Sequence, residues 1–294
     1  LLNLISKTPL WITSGLTLII CLLYILRGGF KLSIITDKYQ FIIILGIILF
    51  SIFYILGNLE ISSYEIIKKN SPNLLSKSYI PNYTAGLTFF IAVAATNLFH
   101  QGNWQRVFAA KNNIILKKSL IYSSIISFII VLWMGYTGLI SFSIDSNIKP
   151  DLAYFKLMFL NENILIIVSI LILALALTLS TIDTLINAIS SLIIINGKEI
   201  NKSLSGKEIK DKSNKLILLL CVIVFVFASE GYSVLYLFLF ADLLCCAAVV
   251  TIFYGFFKKK INIRLSLVSI TLGLSSGLLF FPSQNFQSSL LVGN

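Results

Sequence analysis

Between Leu173 and Ile195 the text LALALTLSTIDTLINAISSLIII carries a row of polar side chains through an otherwise apolar run. At about 100° per residue, Ser180, Asp183, Thr184, Asn187 and Ser191 share one arc of about 100°, with Thr181 on its shoulder and aliphatic residues opposite. Hydroxyl and carboxylate oxygens are hard ligands, and a row of them on one helix face suits a small cation such as sodium. Serine and threonine alone also serve as glue between membrane helices. Asp183 moves the reading towards function, because a carboxylate at mid-membrane depth needs a cation, a proton or a basic partner.

Two other segments hold polar residues where apolar ones are expected. The run IAVAATNLFHQGNWQRVFAAK, Ile91 to Lys111, starts small and apolar and then turns polar at Thr96 and Asn97. Gly102 weakens a helix there, and the amides around it can bond freed backbone groups, so the segment reads as a broken helix facing a cavity. His100, the one histidine, could shuttle protons; a lone histidine is more often a satisfied structural group. In RGGFKLSIITDKYQ, Arg27 to Gln40, two glycines permit a tight connection. Asp37 follows where a second helix is expected to start, either as a carboxylate favouring that N-terminus or as a site residue.

These residues need apolar elements to position them, and the composition supplies little else. Of 294 residues 57% are hydrophobic and 12% charged, with a mean hydropathy of +0.93, whereas soluble domains are about a quarter charged. That excludes a soluble enzyme, a disulfide scaffold and a disordered tail. Apolar runs of about 20 residues must be helical in hydrocarbon. They occur near 9–27, 40–57, 84–108, 118–142, 163–195, 215–228, 232–257 and 262–281, giving an all-α membrane protein of about eight spans, roughly one per run. With the loop after the first span cytoplasmic, most of the 23 Lys and Arg fall in inner loops, as the positive-inside rule requires. The net charge of +11 is therefore an orientation signal, and no nucleic-acid partner is expected. Cys21, Cys221, Cys245 and Cys246 lie inside apolar runs and read as small buried residues. The first residue is Leu and no signal-peptide pattern follows, so the chain is expected to be a fragment lacking N-terminal sequence.

Taken in order, these segments resemble the sodium/solute symporter family. The family's GG…TDxxQ segment reads here Gly28, Gly29, Thr36, Asp37 and Gln40. Its broken helix and QR…AAK segment read Gln105, Arg106, Ala109, Ala110 and Lys111. Its Ser-Thr helix reads Ser180, Thr181, Asp183, Thr184 and Asn187, and later text such as LFLFADLLCCAAVV, Leu237 to Val250, is also similar. The resemblance covers roughly residues 10–280. It implies a LeuT-like architecture of five plus five inverted-repeat helices. Residues 1–294 would be its C-terminal part, a single transmembrane transporter domain without its first three core helices.

The resemblance further implies that the Leu177 carbonyl and the Ser180 and Thr181 hydroxyls bind the main sodium ion. It places a candidate second cation site at Asp37, Asp183 and Thr184, and substrate contacts at Thr96 and Asn97. Relatives commonly carry serine or alanine where Asp183 stands. The implied activity is secondary active transport, with inward sodium movement driving uptake of a small polar solute such as an amino acid, urea or carboxylate. Sodium would be the coupling ion and no cofactor is expected. The expected location is the plasma (inner) membrane, as a multi-pass protein embedded in the lipid bilayer. Alternatives are a proton-coupled symporter and a membrane sensor or scaffold module of the same fold. An enzyme is not expected, since there is one histidine, no paired metal-ligand motif and no GxSxG.

Overall fold

The computed structural model describes residues 8–58, 63–159, 163–200, 202, 205–258 and 262–281, and among them all regular structure is helical. Five helices are long and apolar enough to cross a membrane: α1 (Leu10–Asn58), α6 (Asn113–Ile144), α8 (Ile164–Ile200), α9 (Gly206–Glu230) and α10 (Val234–Phe257). Shorter elements are α2 (Ser63–Asn70), α3 (Pro72–Leu75), α4 (Ile80–Phe99), α5 (Gln101–Phe108), α7 (Ala153–Met158) and α11 (Ile263–Leu279). The outward faces of the long helices are apolar, with Phe53 and Val250 each more than 70% exposed. Only a hydrocarbon solvent makes such faces inexpensive.

α1 has 49 residues, about 73 Å at 1.5 Å per residue, more than twice the ~30 Å hydrocarbon core. It holds both expected runs, 9–27 and 40–57, with a kink at Gly29 between them (φ 54°, ψ −150°). Such a backbone is essentially reserved for glycine. A Cβ on the neighbouring Gly28 would run into Leu32. The glycine pair therefore makes the tight connection expected of it, but residues 30–39 continue as helix. Asp37 consequently sits inside a helix and not at the N-terminus of one.

The expected broken helix is also present. α4 ends at Phe99, His100 is extended with its N–H on the Asn97 carbonyl, and α5 begins at Gln101.

The chain forms two compact units. Unit 1 comprises Leu1–Ser62, Gln101–Ile148 and Leu152–Gly231. Its core joins Cys21 and Ile25 of α1, Ile186 of α8, and Ile217 and Cys221 of α9. Cys21 and Cys221 are buried free thiols, the Cys21 thiol donating to Tyr24 OH at 3.6 Å, whereas Cys245 and Cys246 are only half-buried and not buried as expected. A capping box, Ser205 with Glu208, starts α9, and Gly231 ends it in a left-handed conformation (φ 71°). Unit 2 comprises Ser63–His100, Lys149–Asp151 and Tyr232–Asn294. There α10 packs against α4 and α11. The Asp151 carboxylate caps α10, accepting from Ser233 Oγ (2.9 Å), Val234 N (3.2 Å) and Leu235 N (3.1 Å).

Gly29→Ala places a Cβ on a backbone that costs about 1–3 kcal/mol for an L-residue. It is expected to lower the melting temperature of the detergent-solubilised protein by several degrees, measured by tryptophan fluorescence; Gly46→Ala, at an open helical position, serves as the unaffected control.

Candidate functional site

The polar arc of α8 is turned into unit 1, against α1 and α5. Asp183 is fully buried and Asn187 is buried, while Ser180, Thr184 and Ser191 are half-buried. Four hydroxyls converge on the Asp183 carboxylate. Ser33 Oγ donates to Oδ1 at 3.0 Å and Tyr24 OH to Oδ2 at 3.0 Å. Thr36 Oγ1 and Thr184 Oγ1 each lie 3.3 Å from a carboxylate oxygen. Tyr24 and Ser33 would stand about 13 Å apart on a straight helix. The Gly29 kink lies between them, and with the reach of the tyrosine it brings both hydroxyls to one carboxylate.

A second layer lies beside the first. Asp37, one turn beyond Ser33, accepts from Ser180 Oγ at 2.8 Å. Arg106 of α5 pairs with Asp37 at 2.5 Å and donates to Thr184 Oγ1 at 2.9 Å. Its other terminal nitrogen bonds the Gly102 carbonyl at 3.1 Å. Gln105 donates to the Asn187 carbonyl at 3.1 Å, and Asn187 donates to the Asp183 carbonyl at 2.9 Å. Three of the expected motifs, on α1, α5 and α8, thus meet in one hydrogen-bonded network.

The residues expected to hold cations divide in this arrangement. Asp37, Asp183 and Thr184 are brought together, but the positive charge beside Asp37 and Thr184 is the Arg106 guanidinium. Arg106 entered the sequence reading as part of the QR…AAK segment and as one of the basic residues of the inner loops, not as a site residue, and the break at His100 precedes the short helix that carries it. Asp183 has hydroxyl partners and no basic one; the ion pairs among the described residues are Arg106–Asp37 and Lys156–Asp145. Ser180 belongs to this network. Leu177 and Thr181 lie on an exposed stretch of α8, where Thr181 Oγ1 donates to the Leu177 carbonyl at 2.9 Å.

Below Asn187, a cavity of about 270 Å³ opens between the Gly28–Gly29 kink, α8, α9 and α5. Its polar lining includes Gln105, Asn187, Ser190, Ser191 and Asn214, with Lys210 also contributing. It therefore adjoins the Asp183 layer through Asn187.

In unit 2, Thr96 Oγ1 donates to Asp242 Oδ1. Asp242 is 2% exposed and its Oδ2 is buried without a partner. Asn97 is exposed, and its amide donates to the Val93 carbonyl at 2.8 Å. Asp242 was missed in the sequence, although a lone carboxylate in LFLFADLLCCAAVV is the same signal that singled out Asp183. Tyr24, Ser33 and Thr36 were missed as site residues because hydroxyls beside an apolar run carry no distinguishing mark.

A spermidine transporter, DUR31, of Candida albicans (strain SC5314 / ATCC MYA-2876) is 25% identical over 240 residues, 81% of this chain and 44% of that protein. The chain therefore spans less than half the length of this relative. No family model matches, and no solved structure matches. The likeness to a transporter, together with the apolar helices, is consistent with a membrane transporter.

Arg106→Ala leaves Asp37 with one hydroxyl donor and no counter-charge. The pair is part-exposed, its side chains 38% and 22% accessible, so its loss lies between the ~1 kcal/mol of a surface pair and the larger cost of a buried one. Arg106→Ala is expected to destabilise the protein by several degrees, and Asp37→Asn combined with it to restore most of the loss, a non-additivity read from a double-mutant thermal-melt cycle.

Proposed function

We propose that the chain is part of a secondary active transporter of the sodium/solute symporter type, in which inward sodium movement drives uptake of a small polar solute. The observation that carries this reading is Asp183: a fully buried carboxylate on a long apolar helix, surrounded by hydroxyl oxygens and without a basic partner among the described residues. Buried ionisable groups at such depth belong by default to ion pathways. The transporter relative supports the same class of work.

In this account the Leu177 carbonyl and the Ser180 and Thr181 hydroxyls contribute one side of the main sodium site. The exposed stretch of α8 that carries them receives its remaining ligands from another part of the complete transporter. Asp37, Asp183 and Thr184 form the second cation layer. Arg106 acts there as a tethered cation, and a sodium ion entering the layer competes with its guanidinium for Asp37. Thr96 and Asn97 contact the solute. The cavity beside Asn187 provides an inner exit for the ion. The helices form about eight crossings of a five-plus-five inverted-repeat fold in the plasma (inner) membrane, with the basic loops inside.

Sodium binding stabilises the state that accepts solute from outside, and solute binding closes that side. The membrane potential then favours inward release of the ion, by about 2.3 kcal/mol per charge at 100 mV. Ion and solute each raise the other's affinity by the same factor. The relative's named solute, spermidine, is a polycation, which favours a second reading of the solute as a cationic amine.

Ser180→Ala and Thr181→Ala in the full-length protein are each expected to raise the sodium concentration for half-maximal uptake by about tenfold, ~1.4 kcal/mol of lost ion affinity. The check is solute counterflow into proteoliposomes across a sodium series; an unchanged sodium dependence in both variants removes the site.

A further inference from the structure

We propose that Asp242 and Thr96 bind a protonated amine on the transported solute, an inference that rests on the transport reading above. Both residues lie within unit 2, on α10 and α4. Asp242 is 2% exposed and stands well inside an apolar helix of 24 residues. Thr96 satisfies Oδ1, and Oδ2 is buried with no partner. Neither ion pair found among the described residues involves it, and Lys258, which follows the last turn of the same helix, lies over the Tyr254 ring at 5.6 Å.

A hydroxyl pair would tie α4 to α10 without a charge, so the carboxylate asks for a cationic partner that the described residues do not supply. The walls decide which cation. Hard metal cations gather many oxygens, and here the hydrogen-bonded oxygens among the described residues are one of Asp242 and the hydroxyl of Thr96. The surrounding turns are apolar: Ala92 and Ala95 are buried on α4, and Leu239 is buried one turn before Asp242. Leu243 lies against Gly277 of α11, where any Cβ would collide with it. An ammonium group needs few acceptors, donates N–H to the free Oδ2, and lays its alkyl stem along such a wall. Thr96 positions the carboxylate by holding its other oxygen. Movement of α10 against α4 or α11 is required to admit the amine, since Oδ2 is closed to solvent in this conformation.

The test measures binding of labelled diaminobutane to the purified full-length protein at constant sodium, with uncharged butanediol as competitor and labelled sodium followed in parallel. The diamine is expected to bind and the diol not to compete. Asp242→Asn is expected to weaken the diamine by at least about tenfold while leaving sodium binding intact, and Asp242→Glu to retain most of the affinity. Diamine affinity unchanged in Asp242→Asn, equal competition by the diol, or loss of sodium binding in that variant overturns the proposal. Should Asp242→Asn fail to fold, Thr96→Val and Ala92→Leu carry the test, and unchanged affinity in both overturns it. Failure of the transport reading has a different signature: amine binding to wild-type protein persists, but no solute accumulates in proteoliposomes under a sodium gradient.

Discussion

A carboxylate buried among apolar helices is costly unless something answers its charge or its lone pairs. The packing of unit 1 is organised around answering one. Asp183 draws α1 to α8 through Tyr24, Ser33 and Thr36, and those hydroxyls reach it because Gly29 kinks α1 between them. The apolar core of Cys21, Ile25, Ile186, Ile217 and Cys221 packs along the same elements. Local backbone chemistry at one glycine, helix packing and the geometry of the polar layer therefore depend on one another.

Asp37 and Asp183 in unit 1 and Asp242 in unit 2 are answered in different ways. Asp37 has a guanidinium, so the two form a neutral pair held together by charge. Asp183 has hydroxyls alone, an arrangement of oxygens without an internal cation. Asp242 has one hydroxyl and one idle oxygen. Asp37 has its charge answered, Asp183 its lone pairs but not its charge, and Asp242 only one oxygen; this ordering guides the roles proposed for them: tethered pair, ion layer, solute contact.

Much of this was legible in the sequence, for identifiable reasons. The α8 arc is periodic within one helix, so Ser180 to Ser191 could be placed on one face from spacing alone. The break at His100 and the tight connection at Gly28–Gly29 were carried by local composition. What spacing along the chain could not reveal were partnerships between distant segments. Arg106 and Asp37 are 69 positions apart, and an arginine near the end of an apolar run is normally an orientation charge. Asp37 looked like the start of a helix because the polar stretch 30–39 resembles a loop; the kink at Gly29 lets it continue as helix instead. Asp242 was overlooked because its neighbours are uniformly apolar, so no polar arc drew attention to it.

The central claim is that the oxygen layer around Asp183 receives a monovalent cation. Equilibrium binding of radiolabelled sodium to the purified full-length protein, wild type against Asp183→Asn, tests it most directly. The account predicts saturable sodium binding by the wild type and its loss or marked weakening in a folded Asp183→Asn variant. Equal sodium binding by the two proteins, or none by the wild type, would contradict it.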